Sequence, residues 1–416
     1  MLILAVAVAS GLALFMCLSP KRAALGWLAT IAIQADMGNL HVALADLCLA
    51  ALAISFCVSR ARLVVPLTRI TCLVCAFTFL FLILGTGTTI LRYATVPTWT
   101  WLNKDLGLLL LVAAFLLVLS ALRNEEPERV TRWGVVLLMW LLHLRGGWGA
   151  QVIWESSRLM GFMKDPNAFC GFIAVAAVLT FPSLVERGSA GWLRTTLALF
   201  ALGTFLLSAV LTISRGGILA LTVGLLATAF VLRSRFSIAK ALCLFATAAI
   251  LIGLVAQLSV WEDFLARVED PATVNSRLEL NDAAFRLYSE SPVTLLTGTG
   301  VGSFVMTNKN DLGTQIHNTY IWLFVEGGPF MLIAFLALLC VAIRRAYSLA
   351  RVDRPGHTAA AGCFGSLIAL CVWCATVEGM YQREFWLVLV LVAILETQER
   401  ARQHACNARL TPATAQ

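Results

Sequence analysis

Charged residues are scarce in this chain of 416 residues: only 13% are Asp, Glu, Lys or Arg, whereas 60% are hydrophobic. A water-soluble fold of this size cannot bury so large an apolar fraction, so the composition excludes an ordinary soluble domain. Lipid is the solvent that fits this balance. The composition therefore predicts an all-α, polytopic integral membrane protein.

Several common chemical motifs are also missing. The chain contains no G-x-x-x-x-G-K-[ST] loop, which argues against ATP-driven transport. It contains no D-x-D pair, which disfavours a glycosyltransferase that uses a divalent metal to neutralise its leaving group. Two C-x-x-C spacings, Cys72 to Cys75 and Cys371 to Cys374, lie inside apolar runs and favour core packing over a metal or redox centre. We therefore expect neither a metal site nor a cofactor.

Apolar runs recur along the whole chain, separated by short charged segments. A helical crossing of a bilayer requires about 20 apolar residues. The runs predict 12 or 13 crossings within a single membrane domain that covers residues 1–416. They cover residues 2–18, 23–35, 40–58, 71–90, 105–122, 133–144, 167–185, 194–213, 216–232, 238–257, 318–342, 358–377 and 385–396.

Lys and Arg divide unevenly between alternate connections. Of the 31 such residues, 20 lie in one set of connections, with Arg123 and Arg400 among them, and 11 lie in the other set, with Lys104 and Arg277 among them. Cytoplasmic loops carry the excess of positive charge, so the first set is predicted to be cytoplasmic. The same asymmetry explains most of the net charge of +8, which is therefore not a nucleic-acid footprint. The basic, then polar residues 400–416 are predicted to form an irregular cytoplasmic tail.

The longest outer connection covers residues 259–316. Its length permits structure of its own, and residues 260–269 and 277–290 have helical patterns. The apolar side of the second segment consists of Leu280, Ala284 and Leu287. We expect this loop to lie along the membrane surface as an amphipathic cap over a cavity.

Arginines and one histidine mark the predicted outer face. His317, at the start of a membrane helix, has three possible roles: it accepts a proton, donates to phosphate, or only ends the helix near the headgroups. Arg215 lies in a tight turn between two apolar helices, where an unpaired guanidinium is costly. Arginine binds phosphate in a bidentate manner, although each arginine here has the alternative of lipid headgroups or a local carboxylate. The candidate phosphate ligands are Arg158, Arg215, Arg277 and Arg286.

In their order, these motifs resemble the superfamily of O-antigen ligases and O-antigen polymerases, which are bacterial envelope glycosyltransferases. The matching pieces within residues 158–327 are Arg158-x-x-Gly161, Asp165-Pro166-Asn167, Ser214-Arg215-Gly216-Gly217, Arg277, Gly298-x-Gly300-x-Gly302-x-Phe304, and His317-Asn318-Thr319-Tyr320 with Glu326 and Gly327. Asn281 departs from the pattern, because many members carry a bulky aromatic residue four positions after the loop arginine. Arg277 and Arg286 therefore remain alternatives for that arginine.

The resemblance implies a metal-independent, inverting glycosyl transfer on the periplasmic side of the bacterial inner membrane. The donor would be an undecaprenyl-diphosphate-linked glycan, and the acceptor a hydroxyl of lipid A core or of another glycan. His317 and Arg215 match the family's catalytic residues, while Arg158, Arg277 and Arg286 match its diphosphate ligands. The supporting residues would be Asp165, Asn167, Asn318, Tyr320 and Glu326.

Three functions remain open at this point. An O-antigen ligase of lipopolysaccharide biosynthesis is favoured, and an O-antigen or exopolysaccharide polymerase is the alternative within the same donor chemistry. A membrane transporter without covalent chemistry is the alternative from another class. Helix breaks at Gly85-Thr86-Gly87 and Gly327-Gly328-Pro329 favour transport, whereas the clustering of charge at the outer face argues against it.

Overall fold

The structure is a computed structural model, and its described part is almost entirely helical. The only strands in that part are Trp154–Glu155 and Arg158–Leu159, which form one antiparallel pair. The structure describes residues 14–31, 33, 44–131, 136, 140, 154–155, 158–161, 163, 165–185, 192–235, 253, 262, 265–266, 269, 272–306 and 315–410.

The longer helices are numbered here in chain order. They are α1 (Pro20–Thr30), α2 (Leu44–Val58), α3 (Arg69–Tyr93), α4 (Trp101–Leu122), α5 (Pro166–Val185), α6 (Trp192–Leu211), α7 (Arg215–Leu232), α8 (Ala272–Tyr288), α9 (Pro292–Thr297), α10 (Thr319–Arg351), α11 (His357–Cys374) and α12 (Arg383–Leu410). Single helical turns lie at Thr98–Thr100, Pro127–Arg129, Arg233–Arg235, Ser303–Met306 and Gly379–Tyr381.

Among the described residues, six helices are long and apolar enough to cross a membrane, and these are α3, α4, α5, α7, α10 and α11. Shorter apolar helices in the described residues are α2 and residues 195–211 of α6. The prediction of a multi-pass, all-helical membrane protein is therefore confirmed. The predicted total of 12 or 13 crossings stays a prediction, because the runs at 2–18, 133–144 and 238–257 lie wholly or mostly outside the described residues.

Alternate connections meet at opposite ends of the bundle, as the charge pattern predicts. At the end away from His317, Lys21 pairs with Glu125 at 2.6 Å, and Glu128 accepts a hydrogen bond from the Gly356 nitrogen at 2.8 Å. These contacts join three segments that the sequence places on one side, namely the start of α1, the connection after α4 and the connection between α10 and α11. Which side faces the cytoplasm stays a prediction from the charge count.

Helix α5 lies at the centre of the bundle, with 94% of its most apolar window buried. It packs against α6, α7 and α11, and α7 also packs closely against α11. A methyl group built on Gly224 would lie 3.0 Å from the carbonyl oxygen of Gly365, and one on Gly365 would lie 2.6 Å from that of Gly224. Small residues thus let two membrane helices approach at backbone distance.

Both predicted helix breaks are present, and a single glycine-rich turn packs against both. Helix α3 changes to a π-helical segment over Phe81–Thr86, and α10 has a non-helical residue at Gly328, with φ +76° and ψ 177°. The Val301 nitrogen donates to the Gly85 carbonyl oxygen at 3.2 Å, and the Gly300 nitrogen donates to the Glu326 oxygen at 2.8 Å. The freed backbone groups of both helices therefore bind the turn, which satisfies them inside protein instead of lipid.

The C-terminal residues differ from the sequence prediction. Residues 400–416 were expected to be irregular, but α12 continues as one helix through Leu410. Glu396 accepts from Arg400 at 2.6 Å, and Glu399 accepts from Gln403 at 3.0 Å, which are helical i, i+4 pairs that stabilise this region. The expectation is wrong for residues 400–410, and residues 411–416 lie outside the described part.

The kink at Gly328 gives a stability prediction. A Cβ atom at this position would lie 2.6 Å from the Leu296 carbonyl oxygen, and φ of +76° is unfavourable for L residues. We expect Gly328→Ala to lower the free energy of unfolding by about 1–3 kcal/mol. Gly203→Ala is the matched control, because a Cβ atom there meets nothing within 4 Å. Denaturant unfolding in mixed micelles measures both, and equal stability of the two variants would contradict the packing described.

Candidate functional site

His317 lies directly before α10, whose first turn is tightly fixed. Asn318 is the N-cap residue, and its side-chain oxygen accepts from the Tyr320 and Ile321 nitrogens at 3.0 and 3.1 Å. The Thr319 hydroxyl donates to the Val377 carbonyl oxygen at 2.8 Å and accepts from the Gly379 nitrogen at 2.9 Å. The backbone that carries His317 is thus held against the connection between α11 and α12.

Asn167 joins three segments of the same face. Asp165 caps α5 by accepting from the Asn167 nitrogen at 2.8 Å. The Asn167 side-chain oxygen accepts from Arg158 Nη2 at 3.1 Å and from the Ser214 hydroxyl at 3.0 Å. The strand at 158–159, the start of α5 and the start of α7 therefore form one hydrogen-bonded unit.

Arg215 is the first residue of α7 and follows a strained turn. Ile213 is buried and has φ +51°, a conformation that is an outlier for a β-branched residue. The Thr212 carbonyl oxygen in this turn accepts from Arg158 Nε at 2.9 Å. Arg215, which is half-buried, follows this turn as the first residue of α7, and such strain is concentrated at functional sites.

The pKa of His317 depends on its burial and on the charged residues around it. Its pKa lies below the ordinary value, first because neighbouring protein displaces water that would stabilise the imidazolium, and next because the Arg277 cation is nearby. The carboxylates of Glu378 and Asp165 act in the opposite direction. Part of the ring is exposed, and the imidazole forms no hydrogen bond within the described part of the chain. A neutral imidazole at this position can accept a proton from a bound hydroxyl.

The two loop arginines lie in different surroundings on α8. This helix begins at Ala272, earlier than the predicted residue 277, and its predicted apolar side is buried. Its Tyr288 ring lies 4.7 Å from the Phe324 ring of α10. Arg277 is half-buried, and its charge lowers the pKa of His317. Arg286 is exposed and is not among the described charges that affect this pKa. Of the two loop arginines, Arg277 is thus the one whose charge affects the pKa of His317, and its functional role stays a prediction.

Glu326 and Tyr320 have structural contacts. The buried Glu326 carboxylate accepts from the Gly302 and Phe304 nitrogens at 2.7 and 3.1 Å and from Trp322 Nε1 at 2.6 Å. It therefore holds the glycine-rich turn against α10. The Tyr320 hydroxyl donates to the Cys371 carbonyl oxygen at 2.8 Å and so joins α10 to α11.

Lys104 is a site residue that the sequence interpretation missed. Its side chain is 5% exposed, and the ammonium pairs with Glu378 at 2.5 Å and donates to the Gln315 side-chain oxygen at 3.0 Å. It also lies 5.0 Å from the Trp322 ring centroid and 4.7 Å from that of Tyr381. This lysine therefore ties the segment before His317 to α4 and to the connection after α11. The sequence offered no signal for it, since its partners are distant in the chain.

No group of three or more His, Cys, Asp or Glu residues suited to a metal ion occurs among the described residues. The four cysteines of the two C-x-x-C spacings are free thiols, and all lie within membrane helices. Among the described residues, the cations that lower the pKa of His317 are Arg277 and, with a smaller effect, Lys104. The site is thus suited to an anionic ligand next to a neutral histidine.

The fold and site define a polytopic membrane protein with a histidine and arginine site at one end of its bundle. Residues 198–336 match the family model described as O-Antigen ligase. The match supports the resemblance to the O-antigen ligase and polymerase superfamily that the motifs indicated, and it does so over residues 198–336. It includes Arg215, Arg277 and His317, while Arg158 and Asp165 precede it. No curated protein matches the chain.

The electrostatic link between Arg277 and His317 is directly measurable. Because the Arg277 cation lowers the pKa of His317, Arg277→Gln should raise that pKa toward its ordinary value. Arg286→Gln is the matched control on the same helix and should leave it unchanged. Titration of labelled histidine by NMR, with His317→Gln to identify the resonance, gives both values. An equal shift in the two variants would contradict the proximity of Arg277.

The buried pair of Lys104 and Glu378 should contribute more to stability than an exposed pair of the same length. Lys104→Met leaves a mostly buried carboxylate without its cation, and we expect a loss of about 3–5 kcal/mol. Arg92→Met is the control, since the Arg92–Glu290 pair also measures 2.5 Å but both side chains are 28% exposed. That change should cost at most about 1 kcal/mol. Unfolding in mixed micelles compares the two, and similar losses would contradict this account.

Proposed function

We propose that this protein transfers a glycan from a polyprenyl-diphosphate carrier to an acceptor hydroxyl at the face that carries His317. The observation that carries the proposal is the grouping of a neutral histidine with Arg277 next to the start of α10, within the matched family domain. The undecaprenyl chain of the donor would lie among the apolar helices, in contact with membrane lipids.

Positive charge at this face would bind the diphosphate. Arg215 and Arg277 are half-buried, and their guanidinium groups offer the bidentate hydrogen bonds that phosphate oxygens accept. Helices α5, α7 and α10 also begin at this face, where backbone N–H groups favour anions. Arg158 already donates to Thr212 and Asn167, so in this proposal it supports the turn that presents Arg215.

The transfer is a single displacement. His317 accepts the proton of the acceptor hydroxyl, whose oxygen forms a bond to the anomeric carbon of the donor sugar. The bond between that carbon and the phosphate oxygen breaks, and the polyprenyl diphosphate leaves with the electron pair. Attack from the opposite face inverts the sugar carbon. Arg215 and Arg277 stabilise the negative charge that grows on the leaving group, which makes a divalent metal unnecessary.

The lowered pKa of His317 suits the role of base. A histidine that is neutral at neutral pH has its nitrogen lone pair available for the incoming proton. Asp165 and Glu378, both close enough to act on His317, stabilise the imidazolium that forms during transfer. The site thus combines a neutral resting base with carboxylates that favour its charged form as the reaction proceeds.

For the acceptor we propose lipid A core, which makes the protein an O-antigen ligase of the bacterial inner membrane with a periplasmic site. The loop at 259–316 would cap that site, since α8 brings Arg277 over the start of α10. A polymerase is the alternative, because the Ser214-Arg215-Gly216-Gly217 turn serves the same donor chemistry with a growing glycan as acceptor.

A transporter without covalent chemistry is the alternative from another class. The features expected of a transporter are broken membrane helices and buried charge. Helices α3 and α10 are broken, and Lys104 is a buried charge. In this structure the breaks bind the glycine-rich turn and the charge is paired. Both features therefore have a structural role that requires no transport pathway.

Transfer in vitro tests the proposed function. Purified protein in detergent, given an undecaprenyl-diphosphate glycan and lipid A core, should form glycosylated core with EDTA present. His317→Ala should lower the rate by at least about 100-fold, because general base catalysis contributes that much. His404→Ala is the control, an exposed histidine on α12 that should remain fully active.

The outcomes separate the alternatives. Elongated lipid-linked glycan without transfer to core would assign the polymerase function. Neither product from folded wild-type protein, together with donor moved across proteoliposome membranes, would contradict glycosyl transfer. Full activity of His317→Ala would refute the role of this histidine as base.

A further inference from the structure

A polar cavity of about 180 Å³ lies at the end of the bundle opposite His317. It is formed where α10 ends, α11 begins and the second half of α12 passes both. The lining residues that carry charge or strong hydrogen-bonding groups include Arg345, Arg354, His357, Gln398, Glu399 and Arg402. Nothing in the glycosyl transfer described above uses these residues.

The walls of this cavity are held by specific contacts. Glu399, whose side chain is 6% exposed, forms an ion pair with Arg354 and accepts from Gln403 Nε2 at 3.0 Å. Arg402 Nη1 donates to the Pro355 carbonyl oxygen at 2.8 Å. The connection between α10 and α11 is thereby fixed on α12, so the arginines surround a defined space.

Positive charge in the cavity exceeds negative charge. Three arginines line it, against the single carboxylate of Glu399. Arg345 is only partly neutralised, since its Nε lies 3.9 Å from Glu396 Oε1, and that oxygen accepts from Arg400 at 2.6 Å. The Arg345 Nε atom is buried and has no hydrogen-bond partner among the described residues. The Oε2 atom of Glu396 is likewise buried without a hydrogen-bond partner among those residues, so the pair of Arg345 and Glu396 is loose, and an added acceptor in the cavity would compete with Glu396 for this donor.

We propose that this cavity binds a phosphate group. Guanidinium groups from three elements match the oxygens of a phosphate, and the cavity lies where two membrane-crossing helices end, at headgroup depth. Basic pockets between membrane helices on the positively charged side bind anionic lipid headgroups. The phosphate group belongs to an anionic phospholipid or to a soluble phosphate compound. The arginines would bind the phosphate oxygens of either one in the same way.

Lipid titration of the purified full-length chain tests this site. Native mass spectrometry in detergent would measure binding of dioleoyl phosphatidylglycerol, with dioleoyl phosphatidylcholine as the zwitterionic comparison. Arg345→Gln and Arg402→Gln should each weaken phosphatidylglycerol binding about tenfold, the loss expected for one charged hydrogen bond. Arg344→Gln is the matched control, because Arg344 is exposed and lines no part of this cavity. Arg354 is left intact, since its removal would leave Glu399 buried without its cation.

Two arms of the experiment identify the source of the phosphate. Binding of phosphatidylglycerol that depends on Arg345 and Arg402, and that millimolar inorganic phosphate does not displace, would assign a lipid headgroup. Displacement by inorganic phosphate, or phosphate binding with the same dependence, would assign a soluble ligand to the same site. The proposal is overturned if Arg345→Gln and Arg402→Gln leave the binding of both phosphatidylglycerol and inorganic phosphate unchanged. It is also overturned if Arg344→Gln weakens binding as much as they do. This result is independent of the transfer assay.

Discussion

Charge at membrane depth must be neutralised within the protein, and this constraint shapes the candidate site. An unpaired charge or backbone group in lipid costs several kcal/mol, so each must bind a partner or line a cavity. Lys104 pairs with Glu378, and Glu326 receives three hydrogen bonds from the glycine-rich turn and Trp322. Lys104 on α4 is thus tied to the connection after α11, and the glycine-rich turn is tied to α10, so the pairing that makes the charges tolerable also fixes the segments around His317.

The irregular backbone of α3 and α10 has the same purpose. At Gly85 and Gly328 the helical pattern breaks, and the turn around Gly300 fills both breaks with hydrogen bonds. That turn follows α8 and α9, so its position sets where α8 lies on α10. The location of Arg277 relative to His317 thus depends on a backbone feature more than 20 residues away in sequence.

Sequence patterns predicted the features that arise from local composition. The apolar runs predicted α3, α4, α5, α7 and α11 to within a few residues and the start of α10, which extends nine residues beyond its predicted end, and the two glycine motifs predicted the helix breaks. The role of Lys104 was not predictable, because it depends on partners 211 and 274 positions away. The positive φ of Ile213 also has no sequence signal. The helix from Arg400 to Leu410 departs from the prediction, because polar composition does not exclude a helix that i, i+4 side-chain pairs stabilise.

A cryo-electron-microscopy structure with bound undecaprenyl diphosphate would test the central claim most directly. The account predicts the diphosphate between Arg215 and Arg277, with its terminal phosphate facing His317 and the polyprenyl chain among the apolar helices. A diphosphate bound at the opposite end of the bundle, or beyond hydrogen-bonding reach of both arginines, would contradict the assignment of this face as the site of glycosyl transfer.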